Sequence, residues 1–161
     1  MNDILKIAEK FEIEGYSFYN QKSKEVKNKR ISEIFQDLAQ MEKEHTEFIR
    51  RLMKEMENRQ ELTYIPKDTQ QIFKKQYTQQ KIEKTSQEDD LMDLAVLRMA
   101  YLIEKDFMEF YEKAAKSEKN EKLKKILEIL RDWEEGHKKI IEEQIKEIIE
   151  KNNLELGFYP F

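Results

Sequence analysis

Apolar side chains recur every three or four positions in four stretches of this chain, and the rhythm lapses once, in the middle. The first stretch covers residues 3–27 and carries Leu5, Ala8, Phe11, Tyr16, Phe18 and Tyr19, the spacing of a helix with one buried face. Lys27-Asn28-Lys29 reads as a turn. From residue 30 the pattern restarts with Ile31, Ile34, Phe35, Leu38, Met41, Phe48, Ile49, Leu52 and Met56, predicting a second helix over 30–59. A link this short makes the two helices antiparallel neighbours.

Residues 60–86 break the rhythm. Pro66 interrupts the chain, and Asp68-Thr69-Gln70-Gln71 and Thr78-Gln79-Gln80 hold no sustained apolar period. This segment reads as a long crossover with one short helix around Gln70 to Gln80. Thr85-Ser86-Gln87-Glu88-Asp89 then offers capping hydroxyls ahead of an acidic first turn. The third helix, 87–117, carries Leu94, Leu97, Tyr101, Glu104, Met108, Tyr111 and Ala115. The fourth, 120–152, carries Leu123, Ile126, Leu127, Leu130, Trp133, Ile140, Ile141, Ile145 and Ile148. The tail, 153–161, is apolar with Gly157 and Pro160, and reads as a seal on one end of a bundle or a contact with a partner. The whole predicts one all-α domain over residues 1–161. It is a four-helix bundle of two antiparallel hairpins, with a crossover long enough to make the second and third helices parallel.

Composition sharpens this picture mainly by exclusion. Only three Gly and two Pro punctuate the chain, as long helices require. The 30 basic and 34 acidic residues are interspersed, so no basic stripe marks a nucleic-acid surface. With no cysteine in the sequence, disulfides, iron–sulfur clusters and zinc–thiolate sites are excluded. Neither a signal-like segment nor an apolar run of membrane-spanning length is present, so a cytoplasmic protein with no membrane partner is expected.

The candidate chemistry lies in the only two histidines, each three residues after a glutamate: Glu42 before His45, and Glu134 before His137. That spacing puts each pair on one helical face. In a chain so rich in glutamate the pairs alone decide little, since both could be charged pairs on a solvated face. An internal repeat gives them weight. At an offset of 92 residues Glu12 maps onto Glu104, Phe18 onto Phe110, Tyr19 onto Tyr111, Phe35 onto Leu127, Leu38 onto Leu130, Glu42 onto Glu134 and His45 onto His137. A pseudo-twofold relation between the hairpins follows. Glu12, Glu42, Glu104 and Glu134 also fall on apolar stripes, and buried carboxylates are strongly disfavoured unless paired or bound to metal. One Glu from each of two helices plus Glu-x-x-His from each of two others is the ligand set of di-iron and di-manganese carboxylate bundles. Glu12 and Glu104 as buried carboxylates bonded to Tyr and His, without metal, is the plainer alternative.

The runs Ala8-Glu9-Lys10-Phe11-Glu12-Ile13-Glu14-Gly15-Tyr16-Ser17-Phe18-Tyr19 and Leu38-Ala39-Gln40-Met41-Glu42-Lys43-Glu44-His45, with their counterparts in the second half, resemble the ferritin-like superfamily, closest to rubrerythrin-type di-iron proteins. The resemblance spans all four helices and leaves out the crossover and the tail. It implies that Glu42 and Glu134 bridge two iron ions, that His45 and His137 each bind one, and that Glu12 and Glu104 are terminal ligands. Manganese or zinc could take the same donors. Tyr19 and Tyr111 match tyrosines whose hydroxyls bond to a ligand carboxylate; as core aromatics they would be equally ordinary. The resemblance further implies peroxide or O2 as small substrate, an external electron donor such as a rubredoxin-like protein, and a homodimer.

Two departures stand out. The cysteine-bearing rubredoxin-like domain of rubrerythrins proper is missing from this sequence, and the extra glutamate expected one turn after the third-helix ligand is Phe107. A symmetric Glu4His2 site is what remains. Three functions fit it: a redox protein reducing peroxide or O2, an iron-oxidising and iron-storing protein of ferritin type, or a non-catalytic bundle in which metal relieves carboxylate repulsion. The few residues after the fourth helix speak against a cage. Gly15, inside a helix at a cost of about 1 kcal/mol relative to Ala, either opens a path to the metals or permits a close contact. Trp133, next to a ligand, reads as packing rather than an electron relay.

Overall fold

Long runs of Glu, Lys, Gln, Leu and Ile without Gly or Pro propagate helix at little cost, and the chain uses them to build four. The computed structural model describes residues 2–60 and 85–153. Among these, the helices are α1 (Asn2–Lys22), α2 (Lys29–Glu57), α3 (Gln87–Ser117) and α4 (Glu121–Lys151), and no strand occurs. The crossover and its short helix, expected between 60 and 86, lie almost wholly outside the described residues, as does the apolar tail.

Contacts divide the chain into two compact units. One holds α1 and α2 from Ser32 onward; the other holds residues 26–31 with α3 and α4. In the first, the Tyr19 ring on α1 meets Phe35 on α2 edge-on at 5.2 Å. Arg50 Nε on α2 donates to the Glu9 carboxylate on α1. The buried line along α1 is Leu5, Ala8, Glu12, Gly15 and Tyr19, steps of three and four that keep to one face. Tyr16, expected on that stripe, is 37% exposed. It falls about a sixth of a turn from the middle of the line, at about 100° per residue, which carries it to the edge of the buried face.

In the second unit α3 and α4 pack along their length. Leu97, Leu127, Leu130 and Ile141 are fully buried there. The buried line of α3 is Leu97, Ala100, Glu104, Phe107 and Tyr111. Set against α1 at the 92-residue offset, Leu5, Ala8, Glu12 and Tyr19 meet identical residues, and only Gly15 meets a different one, Phe107. The repeat reaches the helix caps too. Asn28 Oδ1 accepts from the amides of Arg30 at 2.9 Å and Ile31 at 3.4 Å. Its counterpart Asn120 accepts from Lys122 at 3.0 Å and Leu123 at 3.2 Å. Each supplies acceptors for first-turn amides that have no partner within the helix.

α1 ends at Lys22, short of the expected residue 27, and the chain beyond it is held by a distant group. The amides of Lys27 and Asn28 donate to the two oxygens of Asp93 on α3, at 2.7 and 2.8 Å. Drawn to that carboxylate, they are unavailable for helical bonds. Ser23 Oγ meanwhile donates to the Asn20 carbonyl at 2.9 Å, closing the last turn. At the start of α3, the amide of Asp89 donates to the Ser86 cap. Asp90 accepts from Asn152 at 2.9 Å, from Thr85, and from the Lys151 ammonium at 2.8 Å. Burial alone would raise the Asp90 carboxyl; these three donors hold it below its usual value.

Candidate metal centre

Three ionisable side chains of the first unit converge on one buried point. Glu12 comes from the middle of the α1 line, and Glu42 and His45 stand one turn apart on α2. Both glutamates are fully buried and His45 is 6% exposed. His45 Nδ1 lies 3.1 Å from Glu12 Oε2 and 3.8 Å from Glu42 Oε2. Thr46 Oγ1 donates to the Glu42 backbone carbonyl at 2.9 Å, which keeps that hydroxyl turned to its own helix.

The second unit repeats the arrangement with Glu104 from α3 and Glu134 and His137 from α4. All three are fully buried. His137 Nδ1 lies 3.6 Å from Glu104 Oε1 and 3.5 Å from Glu134 Oε2. The same ring nitrogen thus faces the two carboxylates in both units. Burial raises the Glu104 carboxyl first, and the negative charge of Glu134 raises it further. The His137 imidazole opposes both, and the balance pushes Glu104 up to about 8. Two carboxylates crowded out of water beside one imidazole are short of positive charge.

The donors in each triad fit a metal ion. Within either triad, ligand atoms from all three residues lie within 4.8 Å of one another. Two donors each about 2.1 Å from one ion can be no more than about 4.2 Å apart, and all four imidazole–carboxylate separations satisfy that bound. Carboxylate oxygen and imidazole nitrogen without thiolate suit iron or manganese and tolerate zinc. A divalent cation at either point would supply the charge that burial withholds.

The residues around the triads divide between expected and unforeseen. Tyr19 and Tyr111 are fully buried; Tyr19 packs edge-on against Phe18 and Phe35, and Tyr111 against Phe110. Trp133 is buried at 6% exposure. The room beside Gly15 is taken up: a methyl group placed there would stand 3.2 Å from Glu42 Cδ and Oε2 and 3.3 Å from Cγ. The missing side chain permits a close approach of the Glu42 side chain. Asp93 was missed as a tertiary partner, because an aspartate in the first turns of a helix reads as a match to the helix dipole. Nothing in the local sequence separates that role from a contact 66 residues away.

The family comparison agrees with the helices and the triads. The family model described as Rubrerythrin matches residues 3–145, and the chain belongs to that family. Its fold class is accordingly the all-α, ferritin-like four-helix bundle. No curated protein and no solved structure matches the chain. Among the described residues, no helix is long and apolar enough to cross a membrane.

Proposed function

We propose that this protein is a di-iron carboxylate oxidoreductase that reduces peroxide or O2 with electrons from an external donor. Its metal ligands are Glu12, Glu42, His45, Glu104, Glu134 and His137. The observation that carries this reading is the duplicated triad: the same three residue types, buried, with the same imidazole nitrogen turned to both carboxylates. The 92-residue repeat relates the two copies, and membership of the rubrerythrin family supports a di-iron protein.

In this reading Glu42 and Glu134, with His45 and His137 as imidazole ligands and Glu12 and Glu104 as further carboxylate ligands, would hold the two ions. A reduced di-iron centre held by these residues would supply the two electrons needed to reduce an O–O bond. The chain does the rest. Its buried carboxylates and imidazoles offer fixed donors in a dry setting, and their placement on helix interiors holds them without loop motion. The hydroxyls of Tyr19 and Tyr111 orient ligand carboxylates and hold a proton beside them. Electrons come from a small redox protein of the rubredoxin-like kind, and the protein works as a homodimer in the cytoplasm.

The test is metal analysis of the protein loaded anaerobically with Fe(II), followed by absorption spectra before and after peroxide and O2. Two irons per chain and rapid peroxide consumption with a chemical reductant are expected. A large multimer taking up many irons per chain would point instead to iron storage. A loaded protein inert to both oxidants would overturn the redox reading and leave a non-catalytic metal bundle.

A further inference from the structure

Gly15 lies inside α1, where glycine weakens a helix relative to alanine. Backbone freedom does not explain its presence, since among the described residues no glycine has a positive φ. Space does. The three atoms nearest to a methyl group at this position all belong to the Glu42 side chain, at 3.2 to 3.3 Å, inside ordinary van der Waals contact. On a solvated helix such an obstacle would turn a glutamate aside at little cost. Glu42 is fully buried, and its Oε2 is 3.8 Å from His45 Nδ1. Any displacement would therefore pass directly into the triad.

The internal repeat isolates this position. Of the five buried positions along α1, four recur unchanged along α3, and Gly15 alone is replaced, by the buried Phe107. The two halves hold matching ligand sets in unmatched surroundings. We propose that Gly15 is a positioning residue for the Glu42 carboxylate: its missing side chain lets that carboxylate settle against α1, and it thereby sets the affinity of the metal that Glu42 binds. The inference rests on the reading of Glu42 as a metal ligand.

The test uses the full chain with Co(II) as probe, since the visible bands of Co(II) report ligand geometry. Wild-type protein takes up two Co(II) per chain. Gly15→Ala retains its helical content but binds Co(II) about 10- to 100-fold more weakly, the usual result of disturbing a ligand's support, with shifted visible bands. Melting of the metal-free chain supplies the second arm. Alanine favours helix, so Gly15→Ala raises the midpoint by roughly 2–4 °C more when Glu42 is also alanine than when it is present. Should Gly15→Ala not fold, the double variant still must, because the obstructing side chain is gone. Wild-type uptake with unaltered affinity and bands in Gly15→Ala overturns the proposal alone, as does an equal effect on melting in both backgrounds or a double variant that does not fold. A wild-type chain that takes up no Co(II) overturns the di-metal reading, and the proposal falls with it.

Discussion

His45 Nδ1 lies 3.1 Å from Glu12 Oε2, a contact between residues 33 positions apart that joins the first two helices at a buried point. Its counterpart in the repeat, His137 Nδ1 to Glu104 Oε1, spans 3.6 Å. Neither imidazole sits on a surface where a Glu–His pair would be worth little. If these groups are ligands, removing one should empty or weaken the site. His137→Ala and Glu42→Ala are each expected to lower iron content below two per chain, measured by elemental analysis after anaerobic loading. Two full equivalents retained in both variants would rule out the ligand assignment.

The raised carboxyl of Glu104 predicts how the metal-free chain responds to pH. Its folded pKa of about 8 stands above the ordinary 4.5, so folding favours the protonated form. The sign follows from linkage: stability is full below about 4.5, falls as pH rises between the two values, and levels off above about 8. Thermal midpoints of metal-free protein should therefore drop from pH 5 to pH 8. Glu104→Gln, which cannot ionise, should flatten that slope. A slope unchanged in Glu104→Gln would place the titration elsewhere.

Asp93 accepts the backbone amides of Lys27 and Asn28. Asp93→Ala would leave the Asn28 amide, in a buried residue, without its acceptor, whereas the amide of the exposed Lys27 can turn to water. A loss of about 1–3 kcal/mol is expected, read by urea denaturation. A loss below about 0.5 kcal/mol would mean that the carboxylate does not anchor this loop.

Phe35 is fully buried and faces the Tyr19 ring. Phe35→Ala should cost about 3–5 kcal/mol through the cavity it leaves, while Phe35→Leu, the residue at the matching position of the repeat, should cost markedly less. Chemical denaturation of the two variants checks both values. Equal losses would show that volume is not what the site requires.

The exposed pair Arg50–Glu9 sets the opposite expectation. Although the two groups are in contact, the Arg50 side chain is 57% exposed, and water and salt screen most of the attraction. Arg50→Gln should change stability by less than about 1 kcal/mol, and by less still in high salt. A larger loss would show that the pair orders α1 against α2.

Much of the site was legible because helices convert spacing into direction. Leu38, Glu42, His45 and Ile49 repeat at three- and four-residue steps, so a reader of the chain knows that the carboxylate and the imidazole share a face with core residues. The repeat then presents the same face a second time, 92 residues further on. Tyr16 and the loop after α1 lie beyond what spacing determines. A residue a fraction of a turn off the line still fits the spacing, and a loop anchored by a distant carboxylate leaves no trace in the residues beside it.

Gly15 marks the limit most clearly. The chain shows a glycine where a helix would favour alanine, which signals a constraint without saying which. Only the fold brings Glu42 within 3.3 Å of where a side chain would be, and so turns an apparent opening into a filled contact. The order of residues determined the four helices, their buried faces and the six candidate ligands, because periodicity and local capping act within a few positions along the chain. Tertiary structure decided which atoms of those ligands meet, which carboxylate anchors residues 27 and 28, and which side chain lies against Gly15, because those outcomes depend on contacts between residues far apart in sequence.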